Sequence, residues 1–118
     1  MLMHDPLNTL EIDNAQFVLV DFQKSFFSIL DKNIVKIARS NILLMVKMFK
    51  NLGIPMTGTD HYRKGLGGTD ERVIAEWNGP EFMDKVTFSC MGQEEFPKII
   101  KNNKRPTVIV AGLETQIC

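Results

Sequence analysis

Cysteine is scarce in this sequence. Its 118 residues include two, Cys90 and Cys118, with neither CxxC nor zinc-knuckle spacing. That excludes a disulfide framework and a cysteine-rich zinc module, and fits a reduced compartment. Histidine is as rare, with only His4 and His61. No sign of charge is in excess: 14 basic and 14 acidic residues give a formal net charge of zero. A chain that grips nucleic acid or an anionic membrane through its overall field needs a basic surplus, so neither partner is expected. No apolar run approaches the roughly 20 residues that span a bilayer. The opening Met1-Leu2-Met3-His4-Asp5-Pro6 has neither the basic start nor the apolar stretch of a secretory leader. A cytoplasmic location is the expectation.

What is present is ordinary for a globular chain: 44% hydrophobic and 24% charged residues. Residues 1–118 read as one domain, with 1–14 as a polar lead-in arm. Gln16 to Val20 is too short for a helix and rich in β-formers, so it predicts a doubly buried strand. Ile34, Ala38, Ile42, Met45, Phe49 and Leu52 fall at spacings of three and four, predicting a helix over 33–52. Asp31 or Asn33 can cap it, and Gly53 can end it. Ile54 to Thr59 predicts a second strand, followed by a turn-prone loop over 60–68. Thr69 begins a capping pattern for a short helix over about 69–77. Asn78-Gly79-Pro80 breaks that helix. Lys85 to Ser89 predicts a weak strand and Phe96 to Asn102 a helix, with Pro97 in its first turn. Thr107 to Ala111 is a strong strand, expected to be buried and to lead through a turn to Cys118.

Strands alternating with helices imply a parallel sheet in an α/β fold, three-layered and Rossmann-like. Function in such sheets gathers at the carboxyl ends of the strands. That rule selects Asp21, Asp60, His61 and Cys118, with Lys85 near the same edge. A cysteine nucleophile needs a proton acceptor and gains from a nearby cation. Asp21 and Lys85 can supply these, and backbone N–H groups of the 112–118 turn can hold an oxyanion. Taken singly, each residue has a plainer reading as turn, solvated surface or inert core. Cys90 reads as a bystander. Trp77, Phe82 and Phe88 read by default as core or contact aromatics. Gly65-Leu66-Gly67-Gly68-Thr69 satisfies neither the dinucleotide nor the P-loop pattern and reads as a lid loop.

Taken together, three segments carry more. Val20-Asp21-Phe22-Gln23, Asp84-Lys85-Val86-Thr87-Phe88-Ser89 and Gly112-Leu113-Glu114-Thr115-Gln116-Ile117-Cys118 resemble the isochorismatase-like cysteine hydrolases. Members of that superfamily carry D-x-Q after the first strand, a Lys before F-S, and a G-x-x-T-x-x-C turn. The segment Thr59-Asp60-His61-Tyr62-Arg63-Lys64-Gly65-Leu66-Gly67 is similar to the loop of a divergent, metal-free branch.

The resemblance implies a Cys-Asp-Lys triad: Asp21 as general base, Lys85 as the cation, Cys118 as the nucleophile. It implies a cis peptide at Leu113–Glu114 and an oxyanion hole from the N–H groups of Glu114 and Cys118. Gln23, His61, Tyr62 and Phe88 are then pocket or support residues. The implied substrate is a small molecule with an amide or related C–N bond, attacked to give an acyl-enzyme. No cofactor and no metal are expected, because Asp60 and His61 with the distant His4 make a poor ligand set. A homo-oligomer is expected. Family chains run on past the nucleophile, so C-terminal strands and helices are expected beyond those read here, and without them Thr107 to Ala111 is expected near an open edge. The 118-residue chain alone is expected to be inactive. The alternative is a non-catalytic relative serving as an oligomeric scaffold or binding module.

Overall fold

A computed structural model describes residues 11–113. Four strands, β1 (Ala15–Val20), β2 (Met56–His61), β3 (Met83–Lys85) and β4 (Thr107–Gly112), form one sheet in the order β3-β2-β1-β4. Every pairing is parallel. The helices are α1 (Lys32–Leu52), α2 (Arg63–Leu66), α3 (Glu71–Glu76) and α4 (Glu95–Asn102). This is the α/β parallel sheet flanked by helices that the alternation predicts. No helix among the described residues is long and apolar enough to cross a membrane.

Strand β1 is buried along its whole length, as a central parallel strand must be when both faces are covered. Successive side chains alternate between the faces. Phe17 and Leu19 join Ile42, Val46 and Phe49 of α1 and Val73 of α3 in the larger core. Val18 and Val20 point the other way and meet Cys90 and Phe96. Gln16 is fully buried between them, yet its amide is satisfied: Nε2 donates to the Ile100 and Arg105 carbonyls, and Oε1 accepts from Asn103. The polar side chain thereby pins the end of α4 to the central strand.

Helix α1 is capped by Asp31, whose carboxylate accepts from the Asn33 and Ile34 amides. Gly53 closes it at φ 70°, a left-handed stop that glycine adopts without Cβ strain. The buried seam is Val35, Ile42, Val46 and Phe49. It differs from the expected stripe at both ends: Ile34 and Leu52 are exposed. A spacing pattern with apolar residues on neighbouring rows does not fix which row faces the sheet.

Three boundaries also differ from the sequence reading. The ladder from β3 carries β2 on through Asp60 and His61, which were read as loop. Asp70, not Thr69, caps α3, because the Thr69 hydroxyl is drawn to Asp60 instead. Strand β3 ends at Lys85, with Val86 to Ser89 beyond it as bends. Among the described residues β4 lies at the sheet's edge, as expected of it without later strands, and the burial also expected of it is incomplete: Val108 and Val110 are 40% and 52% exposed. Its alternate residues, Ile109 and Ala111, pack on the α1 side.

Candidate active site

The row Met83, Thr59, Val20 and Gly112 runs in register across the carboxyl end of the sheet. The candidate residues sit at or just beyond it. Asp21 still belongs to the ladder through its amide, which donates to the Thr59 carbonyl at 3.0 Å. It then takes φ 49°, in the left-handed region that only a small share of non-glycine residues enter and that Asp and Asn tolerate best. The Gln23 amide closes the turn on the Asp21 carbonyl at 2.9 Å. Simple alternation would send Asp21 to the α1 face with Phe17 and Leu19. The turn instead brings its carboxylate beside Thr59 and Lys85, which share the parity of Val20 and Met83 on the opposite face.

There the carboxylate meets two different partners. Oδ1 accepts from the Thr59 hydroxyl at 2.9 Å. Oδ2 lies 2.8 Å from the Lys85 ammonium, with both side chains buried. That contact is an ion pair off hydrogen-bond geometry, so Oδ2 has no hydrogen-bond donor among the described residues. Lys85 is anchored by donating to the carbonyls of Thr87 (2.8 Å) and Phe88 (3.0 Å). Two charges at this depth cost several kcal/mol each to desolvate, which their attraction rarely more than offsets. A buried pair at the functional edge of a parallel sheet is therefore a site candidate rather than a stability device.

Gln23 is a structural clamp. Its Nε2 donates to the carbonyls of His61 (2.9 Å) and Gly67 (2.7 Å), while its Oε1 accepts from the His61 amide at 2.7 Å. With these bonds made, the loop after β2 is tied to the turn after β1. The His61 ring stacks on Phe88, centroids 5.9 Å apart, and its Nδ1 is buried without a partner among the described residues. Phe88 itself is 70% exposed, and Tyr62 is half exposed with φ 46°. These two flank the edge rather than the ion pair.

Asp60 points to the other face. It accepts from the Thr69 hydroxyl and from Arg63 Nε at 2.9 Å, and Arg63 also donates to the Phe82 carbonyl. Both Asp60 oxygens are thus engaged, and alternation separates its side chain from that of His61. Among the described residues no three His, Cys, Asp or Glu side chains gather as metal ligands. Leu113 packs against the larger core. Glu114, Cys118, the Leu113–Glu114 peptide and His4 lie outside the described residues.

Two participants were not picked out from the sequence. Thr59 is fully buried between Asp21 and Cys90, its Oγ1 being 3.8 Å from the Cys90 sulfur. Burial pushes the Cys90 thiol above the ordinary value of 9.0, outweighing the opposing pull of Thr59 and Lys85. The signal for Thr59 was available: it sits two residues from Thr57 in a strand, on the same face, immediately before the carboxyl end.

The family model for the isochorismatase domain matches residues 15–118. Among curated proteins, the chain is 34% identical over 76 residues to the rat isochorismatase domain-containing protein 2, covering 63% of this chain and 34% of that one. It is 30% identical over 78 residues to isochorismatase family protein 1A of Dictyostelium discoideum, covering 63% and 38%. The chain thus spans little more than a third of the length of the curated relatives it matches. Among solved structures, the YcaC gene product of Escherichia coli, described as an octameric hydrolase of unknown specificity, superposes with a TM-score of 0.82 at 21% identity, covering 98% of this chain and 57% of that one. The MAR1 ribonuclease of Caenorhabditis elegans superposes with a TM-score of 0.81 at 26% identity, covering 94% and 56%. With all four strands of the described sheet inside the matched segment, the chain belongs to the isochorismatase family.

Proposed function

We propose that this polypeptide contributes the Asp-Lys half, and through Cys118 the nucleophile, of a metal-independent cysteine hydrolase acting on a small amide or related C–N bond. The observation that carries the reading is the buried Asp21–Lys85 pair at 2.8 Å, placed at the carboxyl edge with Oδ2 unclaimed by any hydrogen-bond donor among the described residues. Such an oxygen is suited to receive a proton, and the fixed cation beside it favours negative charge on a neighbouring thiol.

The steps follow from that arrangement. Asp21 Oδ2 takes the Cys118 thiol proton. The sulfur attacks the carbonyl carbon, and the carbonyl π electrons move to oxygen. The N–H groups of Glu114 and Cys118 hold that oxyanion, with Lys85 adding positive potential. Collapse breaks the C–N bond, and the departing amine takes the proton from Asp21. Water then attacks the thioester and gives its proton to Asp21. The acid leaves, and the proton returns to sulfur. Gln23 supports the loop, while His61, Tyr62 and Phe88 border the entrance. The engagement of both Asp60 oxygens by Thr69 and Arg63 supports a reaction without a metal.

Exposed Val86, Phe88 and Met91 beside the edge support a homo-oligomer. Because the 118 residues alone are expected to be inactive, the test is turnover by a polypeptide that carries them at the length of the relatives, on a panel of small primary amides and N-carbamoyl compounds, following amine or ammonia release and mapping the acyl adduct by peptide mass. Release should vanish in Cys118→Ala and fall at least about a hundredfold in Asp21→Asn. Release that survives Cys118→Ala, an acyl group on Cys90, or no adduct on Cys118 across the panel would overturn the reading.

A further inference from the structure

The two oxygens of Asp21 are not equivalent, and the residue that makes them different is Thr59. Its side chain is fully buried on β2 and has one proton to give. The distance to Asp21 Oδ1 is 2.9 Å, and a carboxylate there can only accept, so the proton points to Asp21. The contact of 3.8 Å with the Cys90 sulfur must then run the other way, from thiol to hydroxyl oxygen. Burial keeps Cys90 in the protonated form that this direction needs. A one-way chain results: Cys90 S–H to Thr59 Oγ1, and Thr59 O–H to Asp21 Oδ1. Lys85 is the ionisable group paired with Asp21, and Cys90 the one in contact with Thr59, among the described residues.

We propose that Thr59 is a positioning residue: by claiming Oδ1, and with its hydroxyl orientation fixed by the Cys90 thiol, it holds the Asp21 carboxylate rigid so that Oδ2 alone is presented to the nucleophile. The inference rests on the reading of Asp21 as the base. A carboxylate held on one oxygen cannot swing about its terminal torsion, which is otherwise broad. The left-handed backbone of Asp21 fixes where the carboxylate starts, and Thr59 fixes where it ends.

The test uses the full chain and iodoacetamide, reading the modification of Cys118 and Cys90 separately by peptide mass across a range of pH. Asp21→Asn is the control for the base. Thr59→Val removes the hydroxyl at constant shape, and Thr59→Ser restores it. The expected result is a drop of about tenfold in the neutral-pH rate at Cys118 in Thr59→Val, the scale of one lost hydrogen bond to a charged group. Its pH profile should shift towards that of an ordinary thiol, with Cys90 still protected and Thr59→Ser close to the parent. If Asp21→Asn slows Cys118 but Thr59→Val leaves both rate and profile unchanged, the positioning role is refuted and the base survives. If Asp21→Asn itself has no effect, the reading of the base fails first. A rise in Cys90 labelling in Thr59→Val, without the shift at Cys118, would reduce Thr59 to a packing residue. Should Thr59→Val not fold, the parent protein still decides. A slowly exchanging Thr59 hydroxyl proton resonance with a contact to Cys90 supports the chain, and a hydroxyl in fast exchange with water refutes it.

Discussion

Replacing Lys85 with methionine separates the ion pair from the packing around it. The substitution keeps a long apolar stem and removes the ammonium that sits 2.8 Å from Asp21 Oδ2. What remains is a carboxylate whose side chain is only 7% exposed, held by Thr59 alone among the described residues. The carbonyls of Thr87 and Phe88 lose their donor as well, but Phe88 is largely exposed and water can replace it. The dominant loss is the uncompensated charge. Breaking one partner of a buried pair costs about 3–5 kcal/mol, and partial access of water to the edge places this case near the lower figure. The pair Lys85→Met with Asp21→Asn removes both charges and should recover most of that loss. Urea unfolding of parent, single and double variants measures both. A cost below about 1 kcal/mol for Lys85→Met, the range of a solvated pair, would refute the claim that this contact is desolvated. So would a double variant no more stable than the single one.

Two further outcomes are expected. A Cβ built on Gly58 would lie 2.2 Å from the Phe82 ring. Gly58→Ala should therefore lower stability by about 1–3 kcal/mol, and adding Phe82→Leu should relieve part of the loss in thermal or urea unfolding. Cys90 is held above its ordinary value by burial, so the folded chain keeps a proton that the unfolded chain releases. Its stabilising contribution is complete below 9.0, the ordinary thiol value, and is lost as pH rises towards the folded value. Stability measured into the alkaline range should fall more steeply for the parent than for Cys90→Ala. Parallel slopes would show that the thiol is not desolvated.

Much of this arrangement was legible in the residues because strand, cap and turn signals are local. β1, the Asp31 cap, the Gly53 stop and the alternation that yields a parallel sheet each depend on a few neighbouring side chains. The edge rule brought Asp21, Asp60, His61 and Lys85 to one end of the sheet for the same reason. What the pattern could not give was facing. Asp60 and His61 adjoin in sequence, but extending β2 through both sends their side chains to opposite sides. Asp21 reaches its partners through a left-handed turn that alternation does not foresee. Thr59 and Cys90 meet only because the segment after β3 folds back over the sheet, a contact between residues far apart in the chain. The open edge at Thr107 to Ala111 was legible, because it follows from strand order, and β4 is the edge strand among the described residues. The placement of Cys118 and Glu114 lies outside the described residues.

The strand order has a kinetic consequence. β1 pairs with β2 from Phe17 to Met56, but with β4 from Ala15 to Thr107. Closing the longer loop costs only about 0.8 kcal/mol more in chain entropy than closing the shorter one. The larger difference is one of time during synthesis. Residues 15–61 can assemble β1, α1 and β2 while the partner for the other side of β1 has yet to be made. At a few to twenty residues per second, an apolar strand waits for several seconds with one row of backbone groups unpaired. Its neighbours in that interval are whatever else the ribosome has near it, and the yield of folded chain should fall when translation slows between residues 61 and 107.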